Sequence, residues 1–263
     1  ELISLNGLWK TIVDPFENGY YDYRLEPSAK GYFLDNDYSA DRSFLQEYNF
    51  STDKALYVPG DWNTQRPQLY YYEGTVWYRK HFDYSPKQDK RTFLYFAAVN
   101  YEAIIYLNGE KIGTHVGGFT PFNIEVTGKL KSGKNSLVVK ADNKRKPNAV
   151  PTVNADWWNF GGITRHVYLV ETPDTFVRDY YIQLDKANPK ELMGWIQLDG
   201  VKSAQEVKVE IPELKIARTF TTDANGYVSL RIPIKNPVLW TPENPKLYDV
   251  NLISNNNKLS DNI

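Results

Sequence analysis

The side chains most able to do chemistry lie between Asp156 and Arg165, in the run DWWNFGGITR. A tryptophan ring offers a flat apolar face that fits the C–H face of a sugar ring. Asp156 and Asn159 offer directional hydrogen-bonding groups that fit hydroxyls. Gly161 and Gly162 allow backbone angles closed to other residues and a close approach of the chain. This combination favours carbohydrate binding, and the competing interpretation is a buried aromatic corner with a turn.

Strands must position this segment, because helical periodicity is almost absent from the sequence. Short strand-like runs recur between turn signals instead, which is typical of β-sandwiches. The strongest hairpin signal is Asn108-Gly109, between apolar runs at 103–107 and 111–116. A further run, Val167–Val170, directly follows the candidate segment. We therefore predict an all-β protein.

The composition changes after Val170, which divides the chain into two predicted domains. A linker-like stretch at 171–173 precedes six or seven short strands at roughly even spacing. That pattern predicts an immunoglobulin-like β-sandwich over residues 173–263. Residues 1–172 form the other predicted domain, also a β-sandwich.

Two polar segments are expected on the surface. Residues 14–55 are rich in Asp, Asn, Tyr, Gly and Ser, and we predict a long surface segment with one short helix near Asp41–Tyr48. The basic run Lys144–Pro147 is expected to be a solvated turn.

The charge balance excludes some partners. The 263 residues carry 31 basic and 32 acidic side chains, a formal net charge of −1. This balance gives no attraction toward nucleic acid or an anionic membrane, so neither is predicted as a partner. No apolar run approaches the roughly 20 residues that span a bilayer.

Cysteine and histidine usage limits the chemistry further. The chain has no cysteine, which excludes disulfides, thiolate metal sites and cysteine nucleophiles. Its three histidines stand singly, so no metal and no cofactor is predicted; they are His81, His115 and His166. The absence of cysteine fits a periplasmic or secreted bacterial protein, and it also fits a cytoplasmic one.

Several motifs, taken in order, resemble one enzyme family. They are Asn6-Gly7-Leu8-Trp9, Trp77-Tyr78-Arg79-Lys80, Leu107-Asn108-Gly109, Gly117–Phe122, Asp142-Asn143 and Asp156–Arg165. In this order and spacing they resemble the N-terminal sugar-binding domain of glycoside hydrolase family 2, the family of β-galactosidases, β-glucuronidases and β-mannosidases. Residues 173–263, with Trp240 and Pro242–Pro245 near their end, resemble its second domain. The resemblance implies a jelly-roll, galactose-binding-like β-sandwich followed by an immunoglobulin-like one.

The same resemblance implies a retaining glycosidase whose chemistry lies in a third domain, a (β/α)₈ barrel. Such a barrel needs about 250 residues, and two sandwiches already use the 263 present. The family's acid/base glutamate follows an asparagine, and this sequence has no Asn-Glu pair. No catalytic residue is therefore predicted here. The chain is expected to be a non-catalytic N-terminal part, cut after Ile263, that partners a barrel.

The resemblance also implies a role for Asp156, which in family members reaches into the barrel's active site and contacts sugar hydroxyls. A carboxylate can accept hydrogen bonds from two vicinal hydroxyls, each worth roughly 1.5–3 kcal/mol when shielded from water. Trp157 is predicted to form a neighbouring wall, and Asn63 is a weaker candidate for the same pocket. The alternative for Asp156 is an acid that caps a turn. An alternative catalytic pair, Asp61 and Glu73, is disfavoured, since Glu73 begins a turn.

Three functions stay open at this point. The first is an accessory portion of a family 2 glycosidase acting on a β-glycoside, with galactoside and glucuronide undecided. The second is a stand-alone carbohydrate-binding module with an aromatic platform around Trp157, Trp158 or Trp62. The third is a purely structural or adhesive pair of sandwiches. Oligomers are common in the family, so a homo-oligomer is also kept open.

Overall fold

The computed structural model describes residues 1–27, 33, 48–51, 55–255 and 257–263. The chain divides into two compact units, Glu1–Glu171 and Thr172–Ile263. Within the described ranges it is built from strands, with one four-residue helix, α1 (Trp62–Gln65), and two 3-10 turns, Pro67–Leu69 and Pro212–Leu214. The predicted all-β fold is confirmed. The short helix predicted near Asp41–Tyr48 falls on residues 41–47, which lie outside the described ranges.

The first unit is a sandwich of two antiparallel sheets. Its strands are β1 (Leu2–Ser4), β2 (Gly7–Asp14), β3 (Ala55–Val58), β4 (Thr75–Tyr84), β5 (Lys90–Phe96), β6 (Glu102–Leu107), β7 (Glu110–Val116), β8 (Phe122–Glu125), β9 (Gly133–Asp142) and β10 (Val167–Pro173). One sheet has the order β3-β2-β4-β9-β6-β7 and the other β1-β10-β5-β8. The predicted Asn108-Gly109 turn joins β6 to β7, with both residues at positive φ.

The main core lies between these two sheets. Side chains of β2, β4, β6 and β9 meet those of β5 and β10 in one buried cluster, which includes Trp9, Val76, Leu94, Ile105 and Leu169. Burying apolar surface in this way is the main favourable contribution to folding. The loop between β9 and β10, residues 143–166, carries the candidate segment and is anchored on this core.

A second apolar cluster covers the other face of the six-stranded sheet. Trp77 and Tyr106 of the sheet pack there with Phe33 and Phe50 from the long segment 14–55. Phe50 is fully buried and Phe33 nearly so. The prediction of a surface segment is therefore wrong for these two rings, because the sheet presents apolar side chains on both faces.

The second unit is also built from two antiparallel sheets. Its strands are β11 (Phe176–Leu184), β12 (Glu191–Asp199), β13 (Glu206–Ile211), β14 (Ile216–Thr221), β15 (Tyr227–Pro233), β16 (Asp249–Ser254) and β17 (Asn257–Asn262). The sheet orders are β11-β12-β15 and β14-β13-β16-β17. Alternating residues of both sheets form its core, among them Ile196, Val209, Ile232 and Leu252. In the described part of the chain no helix is long and apolar enough to cross a membrane.

Candidate functional site

The candidate segment has a buried half and an exposed half. We call residues 159–163 the base and residues 155–158 the tip. In the base every residue except Phe160 is buried, whereas Asp156, Trp157 and Trp158 of the tip are exposed. Backbone hydrogen bonds fix the base to two neighbouring loops: Trp62 N to Gly161 O (2.9 Å), Asn100 N to Gly162 O (2.9 Å) and Gly60 N to Ile163 O (2.9 Å).

The two glycines of the base are required by this close packing. A Cβ on Gly161 would lie 2.1 Å from the Trp62 ring and 2.6 Å from the Asn143 amide. Gly162 has a φ of +134°, a conformation that side-chain-bearing residues rarely adopt. Both uses predicted for this glycine pair, close approach and an unusual backbone angle, are confirmed.

Four buried asparagines bond the base to its surroundings. Asn143 Nδ2 donates to Asn159 O at 2.6 Å, and Asn159 Nδ2 donates in return to Asn143 O. Asn100 Nδ2 donates to Asn159 Oδ1 at 3.0 Å. Asn63 Oδ1 accepts from Gly161 N at 2.9 Å. Because a buried amide without partners is costly, this network fixes one arrangement of the base.

Asn63, one of the three predicted sugar ligands, is occupied by the protein itself. Its side-chain nitrogen donates to the carbonyls of Leu69, Tyr70 and Tyr72 at 3.0–3.2 Å. Its oxygen holds Gly161, and the residue is 2% exposed. In this structure Asn63 therefore ties the turn after α1 to the base, and its contact with sugar stays a prediction.

The tip is held from one side by the basic run that follows β9. Arg145 donates to Ala155 O and to Trp157 O, both at 2.9 Å, and to Glu73 Oε1 at 2.8 Å. The run at 144–147, predicted to be a solvated turn, is only partly exposed at its three cations, and each of the three pairs with a carboxylate. The other two pairs are Lys144 with Glu17 (2.8 Å) and Lys146 with Glu102 (2.5 Å).

The Lys144 pair belongs to a charge cluster where β9 ends. Glu17 accepts from Lys140 at 2.7 Å and from Lys144 at 2.8 Å. Burial by itself would raise the pKa of Glu17, but hydrogen bonds and charge interactions with the two lysines outweigh it and lower the pKa to about 2. This cluster fixes the start of the loop that carries Arg145.

At the tip, the predicted residues Asp156 and Trp157 face solvent. Trp157 is 66% exposed. Within the described residues the Asp156 carboxylate accepts no hydrogen bond, so it does not cap a turn there. An uncommitted carboxylate beside an exposed indole can accept hydrogen bonds from hydroxyls while the ring covers an apolar face.

Trp158, a predicted platform residue of the tip, packs in an aromatic cluster whose two tyrosines the sequence reasoning missed. Tyr70 and Tyr71 pack on Trp158, with ring centroids 4.8 and 5.4 Å apart, and Phe160 lies 6.1 Å from the same ring. All four rings are partly exposed. The run of three tyrosines at 70–72 was the available signal. Trp62, predicted as a platform candidate, is fully buried and belongs to the core because its ring packs against Gly161.

Two clefts meet at Trp158. One holds about 380 Å³ and is lined by Gly60, Asp61, Asn100, Gly118, Phe119, Pro151, Trp157, Trp158, Asn159, Phe160, Thr164 and Arg165. The other holds about 170 Å³ and is lined by Asn63, Tyr70, Tyr71, Glu73, Arg145, Trp158 and Asn159. Trp157 thus lines the larger cleft, Asn63 the smaller one, and Asp156 neither. The structure does not bring the three predicted residues into one cleft.

Asp61 and Glu73, the disfavoured catalytic pair, both bond to other residues of the protein. Asp61 accepts from Thr64 N at 2.6 Å and from Thr64 Oγ1 at 2.8 Å, which caps α1. Glu73 is paired with Arg145. In the described ranges no three His, Asp or Glu side chains lie together as metal ligands would.

Comparison with known proteins shows that both units match models of one enzyme family. Residues 2–173 match the glycosyl hydrolases family 2 sugar binding domain, and residues 175–263 match a second model described as glycosyl hydrolases family 2. A β-galactosidase of Thermoanaerobacter pseudethanolicus is 30% identical over 69% of this chain and 26% of its own length. A β-glucuronidase of Rattus norvegicus is 26% identical over 92% of this chain and 39% of its own length.

The fold agrees with a solved relative. The structure of Bifidobacterium dentium β-glucuronidase complexed with coumarin-3-O-glucuronide matches all of this chain and 47% of that one, with a TM-score of 0.78 at 23% identity. This chain therefore spans less than half the length of each of these three relatives. The two matched models cover nearly every residue, and the chain belongs to glycoside hydrolase family 2.

Proposed function

We propose that these residues shape the substrate pocket of a longer, retaining glycoside hydrolase of β-galactosidase or β-glucuronidase type. The relatives extend well beyond the matched region, which leaves room in them for a catalytic barrel. The observation that carries the proposal is the exposed Asp156 carboxylate, uncommitted within the described residues and fixed on an anchored base. In this proposal the barrel supplies both catalytic carboxylates, about 5 Å apart.

The expected contribution of Asp156 is binding and orientation of the terminal sugar. Its two carboxylate oxygens can accept hydrogen bonds from two vicinal hydroxyls. Because the tip is already ordered before the sugar binds, binding does not incur the entropy cost of ordering it. The exposed face of Trp157 supplies a wall beside it. Asn63 contributes indirectly in this proposal, because its amide holds the base rather than the ligand.

The second unit is proposed to support the barrel. It carries an apolar groove of about 240 Å³. Four hydrophobic side chains beside this groove are more than half exposed, and they are Val238, Leu239, Trp240 and Leu247. An exposed apolar patch of this kind supports docking of another protein surface.

A stand-alone carbohydrate-binding module is the second candidate, favoured by the exposed rings of Trp157 and Tyr71, the latter 82% exposed. The first test separates the two proposals. Turnover of nitrophenyl β-galactoside and β-glucuronide by this chain is measured together with calorimetric titration of the free sugars. The accessory role predicts no turnover and millimolar or weaker binding. Tight binding without turnover supports the module, and turnover lost in Asp156→Asn refutes both.

The second test uses the longer enzyme that carries these residues. Asp156→Asn is expected to lower kcat/KM roughly 10- to 150-fold, which corresponds to the loss of one charge-assisted hydrogen bond of about 1.5–3 kcal/mol. The control is Asp83→Asn, an exposed carboxylate near the opposite end of β4 from Glu73. Equal activity of both variants would refute the assigned role of Asp156.

A further inference from the structure

Arg145 contacts the backbone on both sides of Asp156. Its Nη1 donates to Ala155 O and its Nη2 to Trp157 O, each at 2.9 Å. The planar guanidinium presents its donors in a fixed fork, so two acceptors held by one group are fixed relative to each other. One side chain therefore holds the peptide units 155–156 and 157–158, which precede and follow the Asp156–Trp157 peptide.

Arg145 is in turn oriented by Glu73. Its Nε donates to Glu73 Oε1 at 2.8 Å, so all three guanidinium nitrogens have partners. Glu73 is itself on a fixed piece of chain, because Gly74 exchanges hydrogen bonds with Asn143 through its N–H (2.8 Å) and its carbonyl (3.1 Å). Glu73 and Gly74 directly precede β4, and Asn143 directly follows β9, so both partners lie next to the ends of core strands.

Little else holds the tip. Among the described residues, the bond from Arg145 to Trp157 O is the only hydrogen bond to the backbone of residues 156–158. At residue 155, Arg145 donates to Ala155 O, and Ala155 N donates to Thr152 O at 3.2 Å. Trp158 packs its ring against Tyr70 and Tyr71, but a ring contact leaves the preceding peptide units free to rotate. The conformation at Asp156 thus depends mainly on Arg145.

We infer that Arg145 is the positioning residue for Asp156, and that Glu73 keeps Arg145 in place. Arg145 holds the tip through contacts within these 263 residues, so this part of the inference does not depend on the barrel or on a sugar. The consequence for sugar binding rests on the proposed function, in which the Asp156 carboxylate meets the terminal sugar. A tip loosened by about 1 Å would misplace that carboxylate without changing any group that touches the substrate.

The first test measures backbone order in the 263-residue chain by ¹⁵N relaxation. Order parameters of residues 155–158 are expected to fall from about 0.85 to below about 0.6 in Arg145→Ala, with those of the base unchanged. Chymotryptic cleavage after Trp157 or Trp158 should accelerate at least about tenfold. Lys146→Met is the matched control, since Lys146 pairs with Glu102 and, among the described residues, makes no hydrogen bond or ion pair with the tip. Unchanged order in Arg145→Ala overturns the inference.

Conservative variants separate positioning from general destabilisation. Glu73→Gln keeps an oxygen that can accept from Arg145 Nε, so the tip should stay ordered, whereas Glu73→Ala should loosen it. Arg145→Lys keeps the charge but loses the fork, and should loosen the tip while the chain remains folded. Equal loosening in Glu73→Gln and Glu73→Ala, or a fully ordered tip in Arg145→Lys, would contradict the fork geometry.

The second test links the tip to the substrate in the longer enzyme. Arg145→Ala should lower kcat/KM when Asp156 is present and should have little further effect in the Asp156→Asn background, since both act through one contact. If Asp156→Asn lowers kcat/KM and Arg145→Ala does not, the positioning role is refuted. If Asp156→Asn has no effect, the proposed function fails, and with it the catalytic consequence of Arg145, whatever the order parameters show.

Discussion

The base and the tip of the same loop differ in where their polar groups find partners. In the base, residues 159–163, the amide of Asn159 and the backbone of Gly161 and Gly162 bond to the protein. In the tip, residues 155–158, the Asp156 carboxylate has no partner among the described residues, and Trp157 projects its ring outward. The groups that stabilise the loop and those proposed to bind a ligand are thus separated by only a few residues.

This difference predicts opposite consequences of substitution. A change in the base removes buried hydrogen bonds or creates a clash, and should lower the free energy of unfolding. A change in the tip removes groups that face solvent, and should leave the free energy of unfolding nearly unchanged while affecting a ligand. Four predictions test this division.

The largest effect is expected for Gly161→Ala. The new methyl group would lie 2.1 Å from the Trp62 ring and 2.6 Å from Asn143, both of which are buried. Relief requires a shift of the base or of α1, at a cost of about 3 kcal/mol or more in the free energy of unfolding. Urea denaturation measures it. A cost below about 0.5 kcal/mol would show that the base is loosely packed.

Asn159→Ala should have the next largest effect. It removes the acceptor of Asn100 Nδ2 and the donor to Asn143 O, and both partners are buried. A loss of about 2–3 kcal/mol in the free energy of unfolding is expected. Asp156→Asn is the control from the tip, with an expected change within about 0.5 kcal/mol. Equal losses in the two variants would remove the distinction between base and tip.

The sequence predicted the parts of this site that depend on local chemistry. Gly161 and Gly162 signal a close approach in any fold, and Asn108-Gly109 specifies a hairpin wherever two strands flank it. The all-β fold follows from repeated signals of the same local kind. The immunoglobulin-like sandwich was predicted from the even spacing of its short strands, whereas the jelly-roll type of the first sandwich was expected only from the family resemblance.

The contacts that the sequence could not predict are long-range ones. Arg145 reaches Glu73 across 72 positions and otherwise binds backbone carbonyls, which carry no sequence signature. A basic run between polar residues therefore resembled a solvated turn. Asn63 was predicted to line the pocket because of its position in a polar loop. In the structure its amide hydrogen-bonds to main-chain groups instead. Which partner a polar side chain takes is decided by tertiary packing.

A pH dependence is expected from the ion pairs that fix the start of the loop. The pKa of Glu17 is about 2 in the folded chain, against 4.5 for an unperturbed glutamate. A lowered folded-state pKa contributes stability that is present above pH 4.5 and is lost as the pH falls toward 2. About 1–3 kcal/mol should be lost over this range, measured by urea denaturation at several pH values.

Glu17→Gln is the control for this pH dependence. It should be less stable at neutral pH, and it should lose less stability between pH 4.5 and 2 than the parent chain. The same acid-induced loss in both proteins would show that other carboxylates control the transition, and that the charge cluster contributes little to the anchoring of the loop.

The smallest effect on stability is expected for Trp157→Ala. A tryptophan in a core loses about 3–5 kcal/mol when it is truncated to alanine, but this ring is 66% exposed. The free energy of unfolding should therefore change by less than about 0.5 kcal/mol, by the same urea assay. A loss above about 1 kcal/mol would mean that the ring is packed in solution, as the interpretation of a buried aromatic corner requires. Trp157 would then belong to the base rather than to a sugar-facing tip.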